Sequence, residues 1–362
     1  MLPLAEDAFF MAKAMYLAKK GRYTTAPNPN VGCVLVRNNA IIGEGWHARA
    51  GFAHAEVEAL KYLQDAKGAT AYVTLEPCSH YGRTPPCCDA LIKAGVTRVV
   101  AAMEDPNPLV SGNGLKILRS AGVEVTCGVL REDAMTLNRG FVKRMTEKKP
   151  FVRSKLAMSL DGRTALASGD SKWITSEHAR ADVHRMRSES SAILTGINTI
   201  LADDPLLNAR VDFEVVQPVR VVLDSRLKIP VTAKLLSTPG RCLILTCANN
   251  PDKTLLLQQA GFEVYSFADK NGRLDLHQVM SFLAEQQINE VLVEAGSILN
   301  GALLVEDLVD EIVVYMASCI LGDQGFGLFH FPAIQKMADR KNLTLRDVRQ
   351  VGQDLKLTLT RE

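Results

Sequence analysis

The chain has no apolar run of the ~18 residues that a membrane-spanning helix needs, so no transmembrane segment is expected in its 362 residues. It also lacks an excess of charge of either sign. Lys and Arg total 42 against 40 for Asp and Glu, a net charge of +2. No basic block interleaved with aromatics appears, and a long nucleic-acid partner normally leaves that footprint. The balance points to a small ligand, with no nucleic acid and no membrane as partner. Met1 to Asp7 shows no basic start followed by an apolar stretch. A secretory leader is therefore not expected, and the compartment expected is the cytoplasm. Finally, no Gly-x-Gly-x-x-Gly follows a strand anywhere. Gly322 to Gly327 is glycine-rich with the wrong spacing, so a Rossmann dinucleotide site is not supported.

Hydrophobic residues make up 47% and charged residues 23%, the balance of a folded protein with enough apolar side chains for two cores. Eight cysteines are present. In a reducing compartment, metal binding or burial must account for them rather than disulfides.

Apolar spacing predicts a helix over 6–20, then a Pro/Asn-rich loop, Ala26-Pro27-Asn28-Pro29-Asn30. Strands are expected at Val31–Val36 and Ile41–Gly45 around an Asn38-Asn39 turn. Helix His54–Leu63, strand Ala69–Leu75, helix Cys87–Ala94, strand Val96–Ala102, helix Gly114–Ala121 and strand Val123–Val125 follow. This alternation predicts a three-layer α/β domain. The charged stretch Arg144 to Pro150 is expected to be a linker, dividing the chain into 1–146 and 147–362. A second α/β alternation begins at Phe151, with its clearest strands at Phe151–Met158, Ala192–Thr195, Val219–Leu223, Cys242–Thr246, Glu290–Val293 and Glu311–Met316.

Three pieces of the first half carry chemistry: His54-Ala55-Glu56, Pro77-Cys78 and Cys87. One imidazole and two thiolates can hold Zn²⁺ with a fourth tetrahedral position open. Water in that position becomes acidic enough to attack an electron-poor ring carbon. Glu56, not needed as a ligand, can carry a proton from the water to the departing amine. His54 and Cys87 each open a predicted helix, where the partial positive charge favours a thiolate. Because residues two apart on a helix point in different directions, His54 must sit at the very start if Glu56 is to face the same centre. His-x-Glu with Pro-Cys-x-x-Cys is the zinc nucleobase deaminase pattern. Here eight residues, Ser79 to Pro86, replace two, and Cys88 competes with Cys87 for the third ligand position.

The long insert is itself informative. Thr74 to Cys87 (Thr-Leu-Glu-Pro-Cys-Ser-His-Tyr-Gly-Arg-Thr-Pro-Pro-Cys) resembles the bifunctional riboflavin-biosynthesis deaminase/reductase family. So do Pro27 to Gly32, Ser159 to Ala165, Leu201 to Pro205 and Val293 to Gly296, in the expected order over almost the whole chain. The resemblance implies a cytidine-deaminase-like domain followed by a dihydrofolate-reductase-like domain. The first would deaminate a diaminopyrimidinone carrying a 5-phosphoribosylamino group. The second would reduce the ribosyl group to ribityl with NADPH. It places the zinc on His54, Cys78 and Cys87, with Glu56 as proton shuttle. Asn28, His47, His80 and Arg83 are the candidates for holding base, ribose and phosphate. Asn28 can equally shape its own loop, and Arg83 suits a phosphate best. Self-association is also implied, without a number of subunits.

In the second half, Glu294 to Gly301 follows a predicted strand and opens a helix, an arrangement whose free amides can bind phosphate. By itself a glycine after a strand is more often only a turn. The resemblance assigns the nucleotide site to Ala157, Trp173, Thr199, Asp203, Ser225 and the run Gly296, Ser297, Ile298, Leu299, Asn300, Gly301 and Ala302. It assigns the substrate site to Ser171, Arg187, Leu207, Arg210 and Glu294. Arg187 and Arg210 can clamp a phosphate with forked donors, and Ser225 with Arg226 can read the 2′-phosphate of NADPH. Lys155 and Asp203 are alternative proton carriers, and Asp161 with Arg163 can be a turn-stabilising pair. Two other readings share the zinc residues: a tRNA base deaminase with an appended domain, and a zinc-stapled scaffold, which requires a closed four-ligand site.

Overall fold

A computed structural model describes residues 5–79, 85–108, 110–268 and 271–361. The chain divides into two compact units, Met1–Lys149 and Pro150–Glu362. None of its described helices is long and apolar enough to cross a membrane.

The first unit contains β1 (Gly32–Arg37), β2 (Ala40–Trp46), β3 (Thr70–Val73), β4 (Arg98–Ala101) and β5 (Glu124–Cys127). Its helices are α1 (Ala5–Ala18), α2 (Ala55–Leu60), α3 (Cys87–Lys93), α4 (Asn113–Ser120), α5 (Arg131–Leu137) and α6 (Arg139–Glu147). The strand order is β2-β1-β3-β4-β5, with β3, β4 and β5 parallel and the β1–β2 hairpin antiparallel. Alternation along β1 separates two cores. Val34 and Val36 pack with Phe10, Met11 and Met15 of α1, whereas Cys33 and Leu35 pack with Ala55, Ala59, Cys88 and Leu91. These are the three layers that the sequence alternation predicts. The hairpin turns at Asn38 (φ 53) and Asn39 (φ 59), the left-handed pair that a two-residue turn requires. Gly32 is glycine because a Cβ there would lie 2.0 Å from the Ala14 carbonyl oxygen of α1.

The expected linker is corrected: Arg144 to Glu147 form the end of α6. Glu147 is exposed and Arg144 half-buried, and the helix stops only at Lys148, whose φ of 57 is left-handed. A charged run reads alike in a linker and on a surface helix.

The second unit has β6 (Phe151–Ser159), β7 (Arg163–Ala165), β8 (Ala192–Gly196), β9 (Val219–Leu223), β10 (Cys242–Thr246), β11 (Glu263–Ser266), β12 (Glu290–Val293), β13 (Glu311–Ala317), β14 (Phe326–Gly327), β15 (Leu343–Val351) and β16 (Asp354–Arg361). Its helices are α7 (Glu177–Glu189), α8 (Ile197–Asp203), α9 (Pro251–Gln259), α10 (Leu276–Glu285) and α11 (Ser297–Val305). The main sheet runs β11-β10-β9-β8-β12-β6-β13-β16-β15, parallel from β11 to β13 and antiparallel at β16 and β15. Ala192 and Leu194 face α10 and α11, while Ile193 faces α7 and α9, so both faces are covered by helices.

Candidate functional site

In the first unit, two helix starts and one loop converge. His54 is the N-cap of α2, with extended backbone (φ −76, ψ 164), and Glu56 lies in the first turn. Cys87 is the first residue of α3. The ligand atoms of His54, Cys78 and Cys87 all lie within 4.8 Å of one another. His54 Nδ1 is 3.2 Å from Cys87 Sγ and 3.5 Å from Cys78 Sγ. Bond lengths of about 2.0–2.3 Å around a tetrahedral zinc give ligand–ligand edges of roughly 3.3–3.8 Å, so the donor set and its spacing fit that ion. Cys88 points elsewhere: its thiol donates to the Pro77 and Gly114 carbonyls at 3.3 and 3.5 Å within the core. Among the described residues the cluster has three protein ligands and no fourth.

The Cys78 thiol is lowered to about 4 by hydrogen bonding to Cys87 and His54, against the opposing cost of burial. The Cys87 amide at the start of α3 also donates to Cys78 Sγ at 3.3 Å. Glu56 is 3% exposed, and burial pushes its carboxyl up to about 7, within range to take and release a proton near neutrality. The buried His47 donates from Nδ1 to the Ala53 carbonyl and accepts from Asn28 Nδ2 at Nε2, both at 3.0 Å. Burial holds its pKa below the ordinary histidine value, in keeping with a neutral ring. His80 and Arg83 lie outside the described residues.

Glu76, unremarked in the sequence, is buried beside the Pro77-Cys78 pair. Its carboxylate accepts from the amides of Gly114 (2.7 Å), Gly112 (2.9 Å) and Asp105 (3.0 Å), fastening the ligand loop to the start of α4. Only the fold brings those amides to it, since they lie 29 to 38 residues away.

In the second unit, the candidates gather at the C-terminal ends of four neighbouring strands. Ser225 follows β9, Thr199 follows β8, Glu294 and Gly296 follow β12, and Ala157 lies near the end of β6. Those strands are adjacent in the order β9-β8-β12-β6, and crevices at such strand ends are where open parallel sheets bind ligands. No side chain caps α11, because its N-cap is Gly296. Its first-turn amides are therefore available to a phosphate, and the buried Thr195 hydroxyl at the end of β8 has no hydrogen-bond partner among the described residues. These features fit a nucleotide.

Several candidates are placed differently from the sequence reading. Arg187 is occupied by Glu294, and its Nη1 donates to the Asn208 carbonyl at 3.1 Å. Arg210 is more exposed and contacts Asn208 Oδ1 at 2.9 Å. Leu207 is 3% exposed with its side chain in the core, so it cannot line a site through that side chain. Asn300 is wholly buried. It donates to the Ala295 and Gly296 carbonyls at 2.7 and 3.2 Å and accepts from Ser154 at 2.6 Å, thereby shaping the loop from within. Ala302 is half-buried in α11, while Ser297 and Ile298 lie in its exposed first turn, followed by Leu299. Trp173 is 71% exposed with the Arg180 guanidinium 4.6 Å from its ring centre. Asp203 pairs with Lys172 at 2.9 Å on the surface, and Ser171 is half-buried beside that pair in sequence. Asp161 accepts from the Leu321 and Gly322 amides at 3.1 and 2.8 Å, and Arg163 donates to the Gly325 carbonyl at 3.5 Å, so both residues reach a distant segment and do not form the expected local pair.

Residues 4–103 match the family model for the cytidine and deoxycytidylate deaminase zinc-binding region, and residues 150–357 match the RibD C-terminal domain. The chain is 48% identical to the riboflavin biosynthesis protein RibD of Escherichia coli strain K12, over 98% of this chain and 99% of that protein. It is 49% identical to that of Haemophilus influenzae, over 98% of each. Among solved structures, Acinetobacter baumannii RibD superposes with a TM-score of 0.93 at 46% identity, covering 99% and 100% of the two chains. A diaminohydroxyphosphoribosylaminopyrimidine deaminase/5-amino-6-(5-phosphoribosylamino)uracil reductase from Thermotoga maritima gives 0.85 at 34% identity, covering 99% of each. With a deaminase zinc cluster on one unit and a reductase-type sheet on the other, the chain belongs to the RibD family of riboflavin biosynthesis proteins, which join a deaminase to a reductase.

Proposed function

We propose that the first unit hydrolytically deaminates 2,5-diamino-6-(5-phosphoribosylamino)pyrimidin-4(3H)-one and the second reduces the ribosyl group of the product to ribityl with NADPH. The observation that carries the first half is the His54–Cys78–Cys87 cluster with the buried Glu56 against it. When bound there, zinc supplies the Lewis acidity that makes water a competent nucleophile near neutral pH. Glu56 takes the proton from the attacking water and delivers it to the amine that leaves as ammonia. Asn28 and His47 orient the pyrimidine, and His80 and Arg83 hold its ribose and phosphate.

In the reductase, the nicotinamide supplies the hydride. The amides at the start of α11, with Ala157, Trp173, Thr199, Asp203 and Ser225, hold the nucleotide, and Ser225 with Arg226 reads its 2′-phosphate. Arg210, Ser171 and the Arg187–Glu294 pair hold the substrate. Lys155 is the proton carrier favoured by its environment. Burial lowers its pKa against the pull of Glu294, and Arg187 lowers it further, whereas Asp203 is tied to Lys172 on the surface.

The test follows ammonia release and NADPH oxidation together on the phosphoribosylamino-diaminopyrimidinone, with Glu56→Ala beside the unaltered protein. The expected result is both signals from the unaltered protein, and neither from the variant until deaminated intermediate is supplied. Metal-loaded protein that releases no ammonia would overturn the proposal and bring tRNA binding forward as the next measurement.

A further inference from the structure

The zinc-binding region ends at residue 103 in its family match, yet the chain of the first unit continues through α5 and α6. These two helices reach back to the loop that carries Asn28. Asn138 separates them, breaking the helix with φ −117 and ψ 24, and its side chain is 3% exposed. Its Oδ1 accepts from the Asn30 amide at 2.7 Å, and its Nδ2 donates to the Asn30 carbonyl at 2.9 Å. Both ends of one side-chain amide thus pair with both backbone groups of a residue 108 positions away. The buried Thr25 hydroxyl donates to Asn30 Oδ1 at 2.9 Å, and Arg144 of α6 donates to the Pro27 carbonyl at 3.3 Å. The loop is therefore held at Pro27 and at Asn30, on either side of Asn28.

From Asn28 the hydrogen-bonded path continues. Its Nδ2 donates to His47, which donates to the carbonyl of Ala53, the residue before the ligand His54. His47 uses one amide hydrogen of Asn28, leaving the Asn28 carbonyl oxygen to read a pyrimidine edge. A group that reads a substrate must be held within about 0.5 Å of its productive place, and displacements near 1 Å can cost about a hundredfold. A Pro/Asn loop has no ladder of its own to supply that precision. The polar double clamp does, and apolar packing of α5 and α6 alone would not require it.

We propose that Asn138 is a positioning residue of the deaminase, through which the α5–α6 pair fixes Asn28 for the pyrimidine. This rests on the reading of Asn28 as a substrate contact given above. The test uses the full-length zinc-loaded protein with Asn138→Leu, Asn28→Ala, the two combined, and Arg144→Gln. Deaminase KM and kcat, zinc per chain and melting temperature are measured, with reductase turnover of supplied deaminated intermediate as internal control. Asn138→Leu is expected to raise the deaminase KM by about tenfold, the worth of one to two hydrogen bonds, with zinc and reductase unchanged. In the Asn28→Ala background the same change is expected to add less than about threefold, because both act through one contact. An unchanged KM in folded, zinc-loaded Asn138→Leu overturns the proposal. So does an undiminished effect in the Asn28→Ala background, which marks a general role in stability. Should Asn138→Leu lose its zinc, Arg144→Gln decides: a raised KM with zinc retained supports the clamp, and an unchanged KM overturns it. If Asn28→Ala alone leaves KM untouched, the reading of Asn28 fails instead, and the two failures are distinguishable.

Discussion

Arg187 of α7 and Glu294, three residues before the start of α11, form a two-pronged ion pair, with Nε to Oε1 at 2.6 Å and Nη2 to Oε2 at 2.9 Å. Both side chains are nearly buried, at 14% and 11% exposure. The planar fork of Arg187 is thereby aimed at a carboxylate of the same chain. Removing one partner strands the other in a poorly solvated place. Arg187→Met is expected to cost about 3–5 kcal/mol of stability, whereas Arg187→Met with Glu294→Met recovers most of it. Neither protein should reduce the substrate. Denaturant unfolding beside a reductase assay checks this, and a double variant as unstable as the single one would contradict it.

His184 lies beside the same pair. Burial, and then the charges of Arg187 and Arg210, hold its pKa down to about 4, and its Nδ1 accepts from the Arg210 amide at 3.2 Å. A base whose folded pKa is depressed binds its proton more readily in the unfolded chain. Stability is therefore level above the ordinary histidine value near 6.5, falls as pH drops from there toward 4, and levels off below. After allowance for partial solvation the loss is about 1–3 kcal/mol. Unfolding measured from pH 7 to pH 4 should show a shallower slope in His184→Gln. Identical slopes would assign the acid sensitivity elsewhere.

The deaminase cluster was largely legible in the sequence because its chemistry is local. His-Ala-Glu, Pro-Cys and a cysteine opening a helix each carry their own signal, and His54 does sit at the helix start that the geometry demands. The interior strands were legible for a similar reason, since β8, β9, β10 and β12 are mostly apolar and buried, with Arg220 of β9 and Glu290 of β12 as the charged exceptions. The strands β15 and β16 were not. Five of the nine residues of β15 are exposed, and Arg346, Asp347, Arg349 and Gln350 make it read as a polar tail. Asn138 and Glu76 escaped for a different reason. Their partners are backbone amides and carbonyls, which every sequence position possesses, so only the fold selects them. Among the reductase candidates, Leu207 and Asn300 have side chains that turn inward, which their positions in the sequence do not reveal.

The adjacent cysteines at the head of α3 should separate cleanly. Cys87→Ala removes a zinc donor, and loss of both bound metal and ammonia release is expected. Cys88→Ala removes a small buried group whose thiol points at the Pro77 and Gly114 carbonyls. It is expected to keep zinc at one per chain and lose about 1 kcal/mol of stability. Metal analysis of the two purified variants is decisive, and zinc loss from the Cys88 variant would move the third donor to that residue. Glu56→Ala should retain the metal while deamination falls by roughly 10²–10⁴-fold, the usual share of general acid–base catalysis.

Two glycines of the α11 region make opposite demands. At Gly301 an added Cβ would lie 2.0 Å from the His330 carbonyl oxygen, with the rest of that residue's backbone close behind, so this glycine exists to admit a neighbouring segment. At Gly296 an added Cβ meets nothing within 4 Å, and its φ of −73 is open to any residue. If neither the fold nor a ligand requires glycine at 296, alanine there should be harmless in every assay. If it is glycine so that a phosphate can approach the first turn of α11, alanine should leave the melting temperature unchanged and raise the KM for NADPH. The second outcome is expected. Gly301→Ala should instead lower the stability of the second unit by about 1–3 kcal/mol, as overpacking does. Its reductase activity should fall in proportion to the folded fraction, without a selective change in KM. Melting curves and NADPH titrations of the two variants resolve the pair. A Gly296 variant with unaltered KM would remove the start of α11 from the nucleotide site.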